Sequence, residues 1–208
     1  MVPPSGSKTA QNQELQVGTN CLGPYLLTTL LRPILTKTAS SSPPGSVRVT
    51  WAGSLAVDLG SPRPGGIAFS SAGAPKVLGR QGDYGQSKAG NLLLANEMAK
   101  KWGNDSGVLH LCWNPGNLKT ELQRHAGVLN YAINWMLYPA VYGAYTELYA
   151  GLSQDLGMQD AGAFIVPWGQ KGAFRQDIVE GIKSEKEGGT GSAEKFYAWC
   201  EKEAASFA

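Results

Sequence analysis

Tyr84-Gly85-Gln86-Ser87-Lys88 opens a run of helix-forming residues, Ala89-Gly90-Asn91-Leu92-Leu93-Leu94-Ala95-Asn96-Glu97-Met98-Ala99-Lys100. A helix sets residues four apart on one face, about 6 Å between their Cβ atoms, so the phenol of Tyr84 and the ammonium of Lys88 converge on one small volume. A tyrosine left to itself exchanges its proton only near pH 10. An ammonium about 4 Å from a phenolate interacts with it by roughly 4 kcal/mol at an effective dielectric near 20, which makes a phenol useful as a general acid or base near neutrality. The same spacing also occurs on solvated helix faces, so the weight of this pair comes from its surroundings.

Working outward, residues 81–102 read as one helix, and the segment 55–83 before it is rich in Gly, Pro and Ser. Irregular segments of that length are usually functional loops rather than connectors. Residues 46–52, between Pro43-Pro44-Gly45 and Gly53, form a short apolar strand, and 108–113 form the next. Residues 14–36 read as helix, with Leu15, Leu22, Leu26, Leu30 and Leu31 on an apolar face and Pro33 near the end. Alternating helices and strands imply a parallel sheet with ligands at the carboxyl ends of its strands. Further on, 163–166 read as one more short strand, 174–187 as helix and 193–204 as the terminal helix. Gly188-Gly189-Thr190-Gly191 imitates a phosphate loop but follows no strand and lacks the further glycine, so it reads as a linker.

Composition narrows the function classes. The 208 residues, 42% of them hydrophobic, are enough for one domain spanning 1–208 with a sizeable core. A net charge of +2 without a Lys/Arg cluster gives no reason to expect nucleic acid. Cys21, Cys112 and Cys200 are widely spaced and odd in number, so they read as free thiols in a reducing, cytoplasmic setting. His110 reads as part of a strand and His125 as exposed; neither has a partner at metal or triad spacing, so no metal site is expected. Asn104-Asp105-Ser106 falls in a helix-to-strand turn and carries no weight as a glycosylation acceptor. Beyond Pro115 the chain turns aromatic, with Tyr131, Trp135, Tyr138, Tyr142, Tyr145 and Tyr149. Asn130, Asn134, Pro139 and Glu147 interrupt that stretch and argue against a membrane span. Its aromatic residues read as core, or as a substrate-facing lid or dimer surface.

Four stretches stand in one fixed order: Gln16-Val17-Gly18-Thr19-Asn20, Gly45-Ser46-Val47-Arg48-Val49 running into Gly53-Ser54, Tyr84 to Lys88, and Asn114-Pro115-Gly116-Asn117-Leu118-Lys119-Thr120. Together they resemble the short-chain dehydrogenase/reductase family, in particular its retinol-dehydrogenase-like branch and fungal members, over nearly the whole chain. The resemblance implies an α/β fold, a Rossmann-like doubly wound parallel sheet, and an oxidoreductase interconverting a carbonyl and an alcohol with NADP or NAD, NADP being the first choice. By the same resemblance Tyr84 is the general acid/base of the YxxxK motif. Lys88 assists it and binds the nicotinamide ribose, Ser54 holds the substrate oxygen, and Asn20 keeps a water in the proton path. Leu118 and Thr120 close over the nicotinamide end of the cofactor. A bulky apolar carbonyl or alcohol is the implied substrate, and a homodimer through the helices carrying Asn20 and Tyr84 the implied assembly.

Two departures accompany the likeness. Gly53 stands where the family has the first of two serines, with Trp51 and Ala52 before it. No G-x-x-x-G-x-G element occurs, so the sheet is expected to be N-terminally truncated, with three strands remaining and the strand at 46–52 left with an open edge. A catalytically impaired member serving as a binding or interaction protein is therefore the alternative reading.

Overall fold

The computed structural model describes residues 3–120 and 137–208. Tyr131, Trp135, Asn130, Asn134 and His125 lie outside the described residues.

Helix α1 starts where the Glu14 carboxylate accepts the Val17 amide at 2.8 Å. It runs through Leu15–Val17, a π turn at Gly18–Leu22, and Gly23–Ala39. Pro24 explains the π turn. It has no amide proton to give, and in a regular helix its ring would press on the Asn20 carbonyl. The chain instead takes up one extra residue, and the Gly23 amide reaches back five positions to the Gly18 carbonyl. The apolar face expected on this helix needs correction. Val17, Cys21, Tyr25 and Thr28 form the buried stripe, while Leu30 and Leu31 are 53% and 42% exposed. Apolar residues occupy two faces of α1, so periodicity alone does not decide which of them is covered.

Strand β1 (Val47–Ala52) pairs in parallel with β2 (Val108–Trp113), from Val47 opposite Val108 to Ala52 opposite Trp113. Between them lie the four-residue α2 (Ala56–Leu59), a long loop and α3 (Arg80–Trp102). The short pairs β3 (Leu118–Lys119) and β4 (Tyr138–Pro139) make a separate two-stranded ladder. Next come α4 (Val141–Leu152), β5 (Phe164–Val166), β6 (Gln170–Lys171), α5 (Gln176–Ile182) and α6 (Ser192–Ala204). The main sheet has the order β1-β2-β5-β6, with β5 parallel to β2. The expected three strands thus become four, because β6 folds back antiparallel on β5.

The helix expected over 174–187 is also shorter. It stops at Ile182, and Ser184 opens a separate 3₁₀ turn in which its amide and hydroxyl both donate to the Glu187 carboxylate at 2.8 Å. That Ser-x-x-Glu pattern is a helix-start signal lying inside the apparent helix. The glycine run after it closes on itself: the amides of Gly189, Thr190 and Gly191 donate to the carbonyls of Ser184, Glu180 and Lys183. None of those three points outward to hold a phosphate.

The sheet is clad unequally. On one face α1, α3 and α6 enclose the larger core, with Leu92, Leu93, Leu94, Met98, Phe196 and Cys200 fully buried. On the other, Leu109, Leu111 and Ile165 meet Ala150 and Leu156. Arg48 ties that thinner side down by donating to the carbonyls of Ala150, Ser153 and Leu156. The long loop before α3 is fastened from three sides. Arg175 donates to the carbonyls of Val57, Asp58 and Pro62 while gripping Asp177 through two nitrogens. The Arg175 hydrogen bonds hold the Asp177 carboxyl down at about 2. Gln86, inside the Tyr84-to-Lys88 motif and fully buried, accepts from the Ala68 amide and donates to the Lys76 carbonyl, both at 2.9 Å. Finally, a Cβ on Gly85 would come within 2.3 Å of the Gly60 carbonyl, so helix and loop touch backbone to backbone.

Candidate active site

The first turns of α3 meet the carboxyl end of β1 and the π turn of α1. Lys88 reaches the Ala52 carbonyl, the last of β1, with Nζ donating at 3.0 Å. Its ammonium stands 5.8 Å from the centroid of the Tyr84 ring, within cation–π distance. Burial holds the Lys88 pKa below the usual lysine range. Asn20 Nδ2 donates to Ser87 Oγ at 2.8 Å, and Ser87 Oγ donates to the Tyr84 carbonyl at 2.8 Å. The π turn thereby connects to the helix turn that carries the tyrosine. π turns occur often at functional sites, and this one places the candidate asparagine.

Ser54 sits two residues beyond Ala52. Its Oγ accepts the Ala56 amide at 3.2 Å, which leaves its own O–H to donate elsewhere. Gly53 before it has no room for a side chain. A Cβ there would lie 2.8 Å from Cys112 Sγ, 2.9 Å from the Phe164 ring and 3.0 Å from the Trp113 carbonyl. The departure from the family's serine pair therefore has a packing cause.

Three of the candidate residues line two separate spaces, while Tyr84, Ser54 and Thr120 line neither. Asn20 and Lys88 line a 410 Å³ groove with Thr50 to Ala52, beside Leu27, Leu31 and Leu35 of α1. Leu118 lines a 240 Å³ cleft with Leu55, the chain neighbour of Ser54, at the carboxyl ends of β2 and β5. Thr120 is exposed just past β3.

One residue near the pair was passed over in the sequence. Asn91, one turn beyond Lys88 and 3% exposed, donates Nδ2 to the same Ala52 carbonyl at 3.0 Å, while its buried Oδ1 has no partner among the described residues. Its three-residue offset from Lys88 was the available signal. Both thiols near the site are inert: burial pushes Cys112 up to about 12 and Cys21 higher still. His110 is likewise no acid–base candidate, since burial pushes it down to about 3. Among the described residues no group of His, Cys, Asp and Glu could hold a metal ion, and no helix is long and apolar enough to cross a membrane.

A mostly parallel sheet with helices on both faces and polar groups at its carboxyl ends defines a Rossmann-type α/β protein. Two solved structures share this fold. An uncharacterised protein from Mycobacterium paratuberculosis superposes with a TM-score of 0.62 at 26% identity, covering 99% of this chain and 63% of that one. The NADPH-bound carbonyl reductase from chicken fatty liver gives 0.54 at 21% identity, over 82% of this chain and 62% of that one. No family model matches the chain. Among curated proteins, the short-chain dehydrogenase/reductase bet4 of Neocamarosporium betae is 40% identical over 202 residues, 97% of this chain and 58% of the relative. A short-chain dehydrogenase/reductase of Phomopsis amygdali is 42% identical over 208 residues, 98% of this chain and 62% of the relative. The chain belongs to the short-chain dehydrogenase/reductase family. It spans about 60% of the length of these curated relatives.

Proposed function

We propose that this chain carries the catalytic groups of an NAD(P)H-dependent oxidoreductase that interconverts a carbonyl and an alcohol. The observation that carries the reading is the convergence of Tyr84, Lys88 and Asn20 beside the last carbonyl of β1, with Ser54 two residues on. In the reducing direction the Ser54 hydroxyl donates a hydrogen bond to the carbonyl oxygen, and the Tyr84 hydroxyl gives that oxygen its proton. Lys88 supplies the positive charge beside the phenol, and Asn20 anchors the path by which the proton is replaced. The alcohol-oxidising direction runs these roles backwards. A reduced nicotinamide, when bound, supplies the hydride.

The residues present fit the nicotinamide end of such a cofactor. Lys88 brings an ammonium donor to the 410 Å³ groove, as a hydroxyl-bearing sugar requires, and Asn91 lines the same groove beside it. Tyr84, Lys88, Leu118 and Thr120 are the residues assigned to it. Among the described residues no glycine-rich turn between a strand and a helix offers its amides to a pyrophosphate. The 208-residue chain alone should therefore bind NADPH with a dissociation constant on the order of millimolar. Calorimetry giving micromolar affinity would overturn that expectation.

The test of the chemistry uses a longer form that binds cofactor. Tyr84→Phe keeps the ring and removes the proton, so NADPH oxidation with a ketone should slow by at least about a hundredfold. Undiminished turnover would end the assignment. Lys88→Ala should weaken both turnover and cofactor affinity, because one ammonium serves both. A second reading, a family member that binds rather than catalyses, is favoured by the open edge of β1 along the leucine-lined groove. Cofactor binding with turnover in the longer form would exclude it. We also propose a homodimer contact on α1, whose Leu30 and Ile34 are exposed outside the groove, more than on α3, which packs under α6. A monomer by light scattering at micromolar concentration would refute it. The three buried free thiols favour a reducing, cytoplasmic location.

A further inference from the structure

The turn Pro167-Trp168-Gly169 between β5 and β6 presents a large aromatic residue in an unusual way. Trp168 has a φ of +69°, a left-handed conformation rare for a bulky side chain, and it is 61% exposed. Core burial does not explain such a conformation. What its indole touches is other exposed rings: Tyr138 with centroids 5.3 Å apart at 80°, and Tyr142 with centroids 5.6 Å apart at 68°. Tyr138 and Tyr142 also meet each other edge to face, at 5.9 Å and 78°. Rings packed edge to face leave π faces open for a further ring. Strained, exposed residues of this kind cluster at ligand-binding sites.

The cleft that Trp168 and Tyr142 line is the 240 Å³ one that reaches Leu55, next to Ser54. Among the described residues no charged side chain lines it. The one buried polar side chain among them, Asn114, spends its oxygen on the Gly116 amide at 3.0 Å, which leaves Nδ2 to donate to a ligand's carbonyl oxygen. An ionised acid or phosphate would meet amide donors but no cation among these residues, and would lose hydration that neutral donors replace only in part. At interior packing density the cleft accepts roughly 180 Å³ of molecule, about the size of a two-ring ketone. A second space of 230 Å³ shares Tyr142 and Trp168 and continues to Tyr145 and Tyr149, so larger ring systems have somewhere to extend.

We propose that this cleft is the substrate subsite of the oxidoreductase inferred above, and that Trp168 and Tyr142 select a neutral, planar ring ketone over an open-chain one. The inference rests on that functional reading for the word substrate, but ring binding itself needs neither cofactor nor turnover. The experiment measures dissociation constants of 2-tetralone and 2-octanone for the 208-residue chain, by calorimetry or ligand-observed NMR. 2-Tetralone should bind at least tenfold more tightly. Trp168→Asn keeps a residue that tolerates the left-handed backbone and removes the ring. It should weaken 2-tetralone at least tenfold and 2-octanone less than twofold. If that variant melts early, Tyr142→Leu, outside the strained turn, carries the same expectation. Equal affinity for the two ketones, or equal losses of both in the variants, would overturn the proposal. So would a self-association that Trp168→Asn abolishes while ketone affinity stays unchanged, because the rings would then be an interface. Ring-selective binding by a chain whose longer form never reduces 2-tetralone would leave the subsite standing and remove the oxidoreductase reading. Turnover with no preference between the ketones would do the reverse.

Discussion

The two faces of the main sheet are built on different terms. One is covered by three helices and carries the larger core, including His110 stacked among aromatic rings: Trp51 Nε1 donates to its Nδ1 at 3.3 Å and the Trp102 ring meets it at 4.7 Å. The other is covered mainly by α4, whose Val141, Tyr145, Leu148 and Leu152 remain exposed, and is held by a small cluster with polar ties around it. The YxxxK helix belongs to the first face and the proposed ring subsite lies toward the second. The groups proposed for catalysis, which need angstrom geometry, thus fall where packing is dense, and the contacts proposed to choose a substrate fall where it is sparse.

The largest expected effect is acid sensitivity originating in the dense face. His110 is buried with Nε2 unpartnered, and its pKa is pushed down from 6.5 to about 3 by burial. The unfolded chain therefore binds a proton that the folded chain refuses. Stability from this source is complete above pH 6.5 and is lost as the pH falls toward about 3. The full loss is on the order of 5 kcal/mol. Urea melts of the wild type and of His110→Asn, which keeps an acceptor for Trp51, should diverge across that window, with the variant less acid-sensitive. Parallel pH profiles would mean that another group governs acid unfolding.

Truncation should separate the faces next. Phe196 is fully buried between α3 and its own helix, close enough that a Cβ on Gly90 would lie 2.7 Å from its ring. Phe196→Ala should cost about 4 kcal/mol in denaturant melts. Leu156→Ala, in the smaller cluster, should cost about 2 kcal/mol, because a thinly covered site relaxes into the space more easily. Equal losses would erase the distinction between the faces.

The dense face was the more legible one in the sequence, and the reason is physical. Strand 108–113 is a short apolar run after Gly107, and the helix through Tyr84 and Lys88 a long run of helix formers ending at Gly103, so both can be read without knowledge of their partners. Asn20 and Lys88 could be put forward as candidates because their motifs are local and ordered along the chain. What stayed hidden depended on tertiary contact. The π turn follows from Pro24, yet its tie to the helix carrying Tyr84 exists only where Asn20 meets Ser87. Gly53 looked like a defect in the serine pair until Cys112 and Phe164 showed that nothing larger fits. The pairing of β6 and the left-handed Trp168 belong to a short hairpin with no periodicity to read. On α1, leucines on two faces made the pattern right for Leu22 and Leu26, which pack against the core, and wrong for Leu30 and Leu31, and only the neighbours decide between them.

The smallest effect tests whether polar ties, rather than apolar burial, hold the thin face. Asp160 lies almost fully buried at the end of the turn before β5, where Lys171 of β6 and the Gly157 amide donate to its two carboxylate oxygens. Burial alone would raise its pKa, but those hydrogen bonds outweigh it and hold the carboxyl below its ordinary value. The lysine is 57% exposed, so solvent screens the pair and the net gain is small. Lys171→Met keeps the apolar stem and removes the charge. It should lower stability by about 1 kcal/mol at pH 7 and low salt, and by less as salt is raised. The sign with pH follows from the lowered carboxyl: the contribution is present above the unfolded value of 3.8 and fades as the pH falls below it. The melting curves of variant and wild type should therefore converge in acid. A loss of several kcal/mol that ignores both salt and pH would mean that Lys171 acts through packing, and that the thin face is held by buried contacts after all.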